Sequence, residues 1–596
     1  MIDGLQGRQF LGEARVAGRR GVWLVVIFII IAVAVSAAGL VFTALLMGRQ
    51  PSVASNSTLV LRVGGDLQEA EPGGLVGSFF EPPPTVRSVV ESLRKAKVDR
   101  RITSVVIRPT GTAALWAKVQ EVRDAIVDFK SSKKPIIAYL EYGGEQEFYL
   151  ASACDKVFLM PTASLDLTGM ASYELFLRGT LDKIGAYPDA LHIGEYKTAS
   201  NQMTEHTFTP AHREMAESLN RDLYEQLVKG IASGRQKQEA EVRTLIDHGP
   251  FLPEDAVRAG LIDDVAYEDE LDDKVSLGKG ASHFVEHDEY RSVSPGSLGL
   301  NRGPRIAVLY AAGIISSGES SYDSPQGEVV GSDTIIRYLR KARSDDTIKA
   351  IVLRIDSPGG SAIASDVIWR EVELTRGVKP VIASMSDVAA SGGYYIALPA
   401  HKIVAEPATL TGSIGVVMMK FVIDGTLKKL GINMEPVKQG RYADIYSPVR
   451  PFTPEERAKI GEQMQATYDT FVEKAAAGRR TTPEKIDAIA QGRVWTGLQA
   501  KQIGLVDELG GLDRALVLAK EEAKISRDAE IELVVYPPRR SLYDSIANPF
   551  GTSDRSALLS AFLGLNERRA LTTLTAPLRV FRRGEPLAIM PNVFVR

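Results

Sequence analysis

The sequence predicts an α/β protein made of two tandem domains of common origin, set behind one N-terminal transmembrane helix. Three observations predict it: a long internal repeat, an alternation of β-branched runs with helical segments, and one long uncharged stretch near the start. The stretch from Ile102 (ITSVVIRPTGTA…KKPIIAYLEYGGEQEFYLASACDKVFLMP) runs parallel to the stretch from Ile348 (IKAIVLRIDSPGG…VKPVIASMSDVAASGGYYIALPAHKIVAEP). Arg108 matches Arg354, Lys156 Lys402, Pro161 Pro407, Gly169 Gly415 and Gly194 Gly440, all 246 apart, with a one-residue shift around Pro135 and Pro380. Farther on, Gly234 with Gly478 and Asp263 with Asp507 are 244 apart. A period this long marks a duplicated domain and not a solenoid.

Taken in chain order, residues 1–20 carry Arg8, Arg15, Arg19 and Arg20 against Asp3 and Glu13. The 26 residues from Val22 to Met47 carry no charge, enough for a tilted membrane span. We therefore expect residues 1–20 in the cytoplasm and an anchor over 21–48, with the arginines holding the N-terminus inside. A cleaved secretory signal is the competing reading, because Ser36, Ala37 and Ala38 offer small residues for a peptidase. The apolar run continues past that point as GLVFTALLM, which favours an uncleaved anchor.

A first domain is expected over 55–287 and a second over 305–537. Leu59–Val63 and Ile306–Tyr310 read as their first strands, followed by SVVIR and PIIAYL in one copy and AIVLRI and PVIASM in the other. Such uniformly apolar runs suit parallel strands covered on both faces. FTPAHRE and FTPEERA place Thr and Pro at the start of a long helical segment in each copy. Residues 288–304 are polar and rich in Ser, Gly and Pro, as expected of a linker. The tail 538–596 is basic in patches and receives no role.

Lys and Arg (71) nearly balance Asp and Glu (74), so nothing calls for nucleic acid. Cys154 is the only cysteine, which excludes an intramolecular disulfide and a cysteine-built metal cluster. No metal and no cofactor is expected.

The copies differ where chemistry is expected. In the second, strand AIVLRI runs into Asp356-Ser357-Pro358-Gly359-Gly360, and a glycine pair lets backbone N–H groups face a site that side chains would fill. The first copy has Pro109-Thr110-Gly111-Thr112 there. Downstream, Ser391-Gly392-Gly393 stands at a helix start, where a nucleophile meets free N–H groups, although Ser391 as a plain cap is the alternative. The first copy has Glu145 at the position matching Ser391. None of the seven histidines (His192, His206, His212, His248, His283, His287, His401) has a setting that recommends it as the base. Lysine is the other option: Lys197 in GEYKT matches Ala443 in GRYAD. One copy keeps the serine and the other keeps the lysine, so the losses are complementary and a composite Ser/Lys dyad is expected.

The motifs ASGGYY, DSPGG, LTGSIGV and GEYKTAS, on a duplicated chain behind an N-terminal span, resemble the signal peptide peptidase A (protease IV) family of Ser/Lys peptidases. The resemblance covers roughly residues 20 to 535. It implies ClpP/crotonase-like domains and periplasmic hydrolysis of released signal peptides at the inner membrane. It implies Ser391 as nucleophile, Lys197 as general base, the N–H groups of Gly359 and Gly392 as oxyanion hole, and Ser413 as the hydroxyl that positions the lysine. A homo-oligomer, a tetramer by resemblance, is also implied. Two alternatives remain at this stage: a crotonase-type acyl-CoA enzyme, and an inactive membrane scaffold.

Overall fold

The computed structural model describes residues 26–37, 39, 53–65, 67–69, 84–276, 283–323, 327–538 and 586–591. Six strands form one all-parallel sheet in the spatial order His283–Glu286, Ser57–Gly65, Ile102–Thr112, Ile136–Leu140, Lys156–Leu159, Asp264–Val265. A second sheet repeats that order with Glu532–Tyr536, Arg305–Ala312, Ile348–Ser357, Val381–Ala390, Lys402–Ala405 and Glu508–Leu509, again parallel. The repeat seen in sequence is thus a repeat of topology. Helices obey it too: Val86–Val98 answers Ser332–Ser344, and Trp116–Lys130 answers Ala362–Arg376.

Local chemistry explains these elements. Ile136–Leu140 is buried at every position, which is why it reads as apolar throughout and not as an alternating strand. Pro210–Arg235 and Pro454–Arg479 both begin with Pro, after Thr209 and Thr453, whose hydroxyls accept from His212 and Glu456 N–H. The segment 288–304 is tied to the first half, because buried Lys95 donates from Nζ to the carbonyls of Tyr290, Arg291 and Val293. Cys154 is buried, as a small apolar side chain would be, and burial pushes its thiol up to about 12.

A third sheet joins the halves. Tyr187–Ile193 of the first half pairs antiparallel with Val416–Val422 of the second, from Val416 opposite Ile193 to Val422 opposite Tyr187. On the other flank of Val416–Val422 lies Leu587–Ile589, which pairs in turn with Gly359–Ser361. Of the expected anchor, only residues 26–37 and 39 are described; they are helical and exposed, with Phe28, Ile30 and Val35 prominent. Among the described residues no helix is long and apolar enough to cross a membrane. The rest of the 21–48 segment lies outside the described residues.

Candidate active site

The strand pairing that joins the halves also builds the site. Tyr187–Ile193 ends four residues before Lys197, and Val416–Val422 begins three residues after Ser413, so setting Ile193 opposite Val416 carries Lys197 onto Ser413. Tyr196 N–H donates to Gln491 carbonyl at 2.7 Å and Gly492 N–H to Ile414 carbonyl at 2.8 Å, which fastens the lysine loop from the other side. Lys197 Nζ then lies 2.8 Å from Ser391 Oγ, 2.9 Å from the Ser413 carbonyl and 3.0 Å from Ser413 Oγ. All three side chains are fully buried.

These three contacts fit an ammonium, with three N–H donors, and an unprotonated amine alike, because a serine hydroxyl can donate or accept. A neutral amine offers two N–H bonds and one lone pair. The Ser413 carbonyl can only accept and takes one N–H; Ser413 Oγ takes the second; the lone pair is left for the Ser391 O–H. Among the described residues no carboxylate accompanies Lys197, and burial alone holds its pKa well below that of a free lysine.

Ser391 lies between the strand Val381–Ala390 and the helix Gly392–Ala397, with φ 54 and ψ −112. Ser413 is also at positive φ, 50. Backbone strain of this kind costs of order 1–3 kcal/mol per residue and holds only where surroundings impose it. Here Ser391 N–H donates to Gly412 carbonyl and Ser413 N–H to Arg493 carbonyl, each at 2.8 Å.

The glycines around the serine divide their work. Gly392 opens its helix, so the helix has no carbonyl for its N–H. Gly359 N–H donates to Ser357 Oγ at 3.2 Å. Gly360 faces Ala588 across an antiparallel ladder. The flanking bonds are Met590 N–H to Pro358 carbonyl and Ala362 N–H to Pro586 carbonyl, and bonded pairs recur at every second residue, so Gly360 and Ala588 form the bonded pair between them. The N–H of the glycine pair that faces Leu587–Ile589 is therefore that of Gly360. Gly359 supplies room, because a methyl there would strike the Ala588 carbonyl oxygen and stand 2.7 Å from Gly392 N.

Several residues outside the expected set hold this geometry. A methyl on Gly415 would lie 3.0 Å from Lys197 Cδ, and one on Gly492 would lie 2.5 Å from Lys197 Cβ, so these glycines make a close-fitting channel for the lysine stem. Asp387, four residues before Ser391, accepts from Leu115 N–H at 2.8 Å and Lys118 N–H at 2.9 Å. It caps a helix of the other half whose own preceding residue, Leu115, has no capping side chain. Burial and the nearby Asp356 raise the Asp387 carboxyl to about 6 against the pull of Lys118. Lys118 Nζ lies 2.8 Å from Asp356 of the DSPGG turn, and Val388 N–H donates to the same carboxylate at 3.1 Å. Nothing in the local sequence around Lys118 or Asp387 marks them, since their partners lie in the other copy.

The model of peptidase family S49 matches residues 128–282 and 373–526. The chain is 36% identical over 503 residues to the chloroplastic serine protease SPPA of Arabidopsis thaliana, across 83% of this chain and 73% of the relative. It is 34% identical to Protease 4 of Salmonella typhi over 487 residues, across 79% of this chain and 77% of that one. To Protease 4 of Haemophilus influenzae it is 30% identical over 508 residues, across 82% and 80%.

Proposed function

The chain belongs to peptidase family S49 and is a serine protease, and from that premise we propose that Ser391 is its nucleophile and Lys197 its general base, drawn from different copies of the repeat. The observation that carries this reading is the 2.8 Å separation of Lys197 Nζ from Ser391 Oγ in a site where the lysine has no charged partner among the described residues. An unperturbed lysine is neutral only about 0.04% of the time at pH 7, so a base of this kind needs its proton affinity lowered. Complete burial does that here. Ser413 holds the amine through its carbonyl and hydroxyl.

In the first step Ser391 Oγ adds to the substrate carbonyl carbon while its proton passes to Lys197 Nζ. The oxyanion is received by the N–H groups of Gly392 and of the Gly359–Gly360 pair, with Gly360 the donor that Ser357 leaves free. Lys197 returns the proton to the leaving amine as the C–N bond breaks. Water activated by the same amine then hydrolyses the acyl-enzyme.

Substrates are apolar peptides, including released signal peptides, that enter as an extended strand between Gly359–Ser361 and Val416–Val422. The uncharged run 22–47 is read as an uncleaved inner-membrane anchor with the two ClpP/crotonase-like domains, 55–287 and 305–537, on the periplasmic side and several protomers assembling there. Its support is the charge pattern and the exposed apolar side chains of the helix over 26–37. Ser391→Ala and Lys197→Ala are each expected to lose peptide cleavage with an unchanged circular dichroism spectrum. Full activity in either would sink the dyad.

A further inference from the structure

Beside the serine, one residue of a strand faces three of its neighbour. Ile348–Ser357 and Val381–Ala390 pair in step up to Ile355 opposite Met385, and pairing resumes with Ser357 opposite Ala389. Asp356 is therefore set against Ser386, Asp387 and Val388, a bulge that ends three residues before Ser391. A bulge bends its strand and re-aims the side chains that follow, and it leaves ladder groups that must be satisfied elsewhere. The answering strand of the first copy, Ile136–Leu140, ends at the residue matching Met385, where the bulge would begin.

Side chains take over from the ladder. Asp356 Oδ1 accepts from Val388 N–H at 3.1 Å, and Ser386 Oγ accepts from Arg354 Nη2 at 3.1 Å. Asp387 accepts from Leu115 and Lys118 N–H of the first half. At the centre stands the ammonium of Lys118, 2.8 Å from Asp356 Oδ2 and 3.8 Å from Asp387 Oδ2, on a side chain only 10% exposed. One of these carboxylates begins the turn that carries the Gly359 and Gly360 N–H groups, and the other lies on the strand that leads into Ser391. Without a cation between them, two largely buried like charges would push the turn and the strand apart. The repeat distributes this set as it distributes the dyad: Lys118 matches Ala364 and Asp356 matches Thr110, so the cation stands in one copy and its acid in the other.

We infer that Lys118 is a positioning residue for the reaction: by drawing Asp356 and Asp387 together it fixes the bulge Ser386–Val388, and with it the aim of Ser391 and the set of the Gly359–Gly360 turn. It acts through the two carboxylates and not on the reacting atoms. The inference rests on the assignment of Ser391 as nucleophile given above. The first half then serves the site twice, with Lys197 on the serine hydroxyl and Lys118 behind the serine strand.

Steady-state kinetics of the full chain in detergent on a fluorogenic apolar peptide, with fluorophosphonate labelling of the same samples, test this. Lys118→Met is expected to lose roughly tenfold to a hundredfold in kcat, as a displacement on the order of an ångström would cause, with KM within about twofold of wild type. Asp356→Asn keeps an acceptor for Val388 N–H and removes the charge, and a similar loss is expected. Lys118→Met combined with Asp356→Asn is expected to lose no more than the larger single loss, because the two act as one unit. Where Lys118→Met alone does not fold, the double variant carries the test, and its kcat is expected to equal that of Asp356→Asn. Full kcat in folded Lys118→Met, a loss confined to KM, or a double variant well below Asp356→Asn overturns the positioning role. Wild type labelled on Ser391 leaves the nucleophile standing in each of those cases. Wild type without an adduct on Ser391 overturns that assignment and the inference with it.

Discussion

Burying Lys197 comes at a cost to folding. The unfolded chain holds a proton on this amine at neutral pH, whereas burial lowers its proton affinity in the folded chain. The unfolded state therefore binds more protons between the depressed pKa and about 10.4, and this residue makes stability rise with pH across that window. Lys197→Met is expected to melt higher than wild type at pH 7, with the advantage shrinking toward pH 10; an advantage that does not change with pH would contradict the burial account. Lys197→Arg should be inactive, because guanidinium does not give up its proton. Gly492→Ala, which puts a methyl 2.5 Å from Lys197 Cβ at a φ of +76, should displace the amine. A loss of roughly tenfold to a hundredfold in kcat is expected for a displacement on the order of an ångström, with binding of an added peptide little changed. Steady-state kinetics separate the two.

At the scale of elements, the serine strand of one half is fastened to a helix of the other. Asp387 is the cap of Trp116–Lys130 although 272 positions separate it from Leu115. Losing these charged hydrogen bonds through Asp387→Ala should cost about 1.5–3 kcal/mol, measured by urea unfolding. The pH dependence has the opposite sign to that of Lys197. Because the folded carboxyl is raised to about 6, the folded state holds more protons between about 4 and that value, and stability falls as pH rises through this window. Asp387→Asn should flatten that fall. That Ser391 and Lys197 lie together was legible in the sequence because duplication supplied a reference copy, with Glu145 and Ala443 at the matching positions. The Asp387 cap was not, since a cap is normally read within a few residues of its helix. Which of Gly359 and Gly360 turns its N–H toward Leu587–Ile589 was not either: neighbouring N–H groups in a strand point to opposite sides, and only the register of the ladder decides between them.

For the whole molecule, two copies of one topology form a single enzyme only if their relative placement is held to within a hydrogen-bond length. The cross-sheet pairing of Tyr187–Ile193 with Val416–Val422 supplies one constraint, and a buried ion cluster supplies another. Arg354, 1% exposed, binds Glu69 through Nε at 2.7 Å and Nη2 at 2.9 Å, reaches Glu121 at 2.6 Å, and touches Ser384 and Ser386. Both glutamates come from the first half. Burial alone would raise the Glu69 carboxyl, but the charge and hydrogen bonds of Arg354 bring it down to about 2. Its matched residue Arg108 instead binds Glu141 and Glu268 within the first half, so the repeat turned one arginine into a bolt between copies. Arg354→Met should destabilise by about 3–5 kcal/mol by stranding two buried carboxylates, while Arg354→Met with Glu69→Gln and Glu121→Gln should recover most of it.

The central claim is that a lysine from one copy activates a serine from the other. Fluorophosphonate labelling of the full chain, followed by peptide mapping, tests it most directly, because attack of the serine oxygen on phosphorus is fast only where a base takes its proton. We expect a single adduct on Ser391 in wild type and its loss in folded Lys197→Ala, with no return in Lys197→Ala combined with Ala443→Lys. An adduct on Ser391 that forms as fast without Lys197, or one on a different serine, would contradict the account.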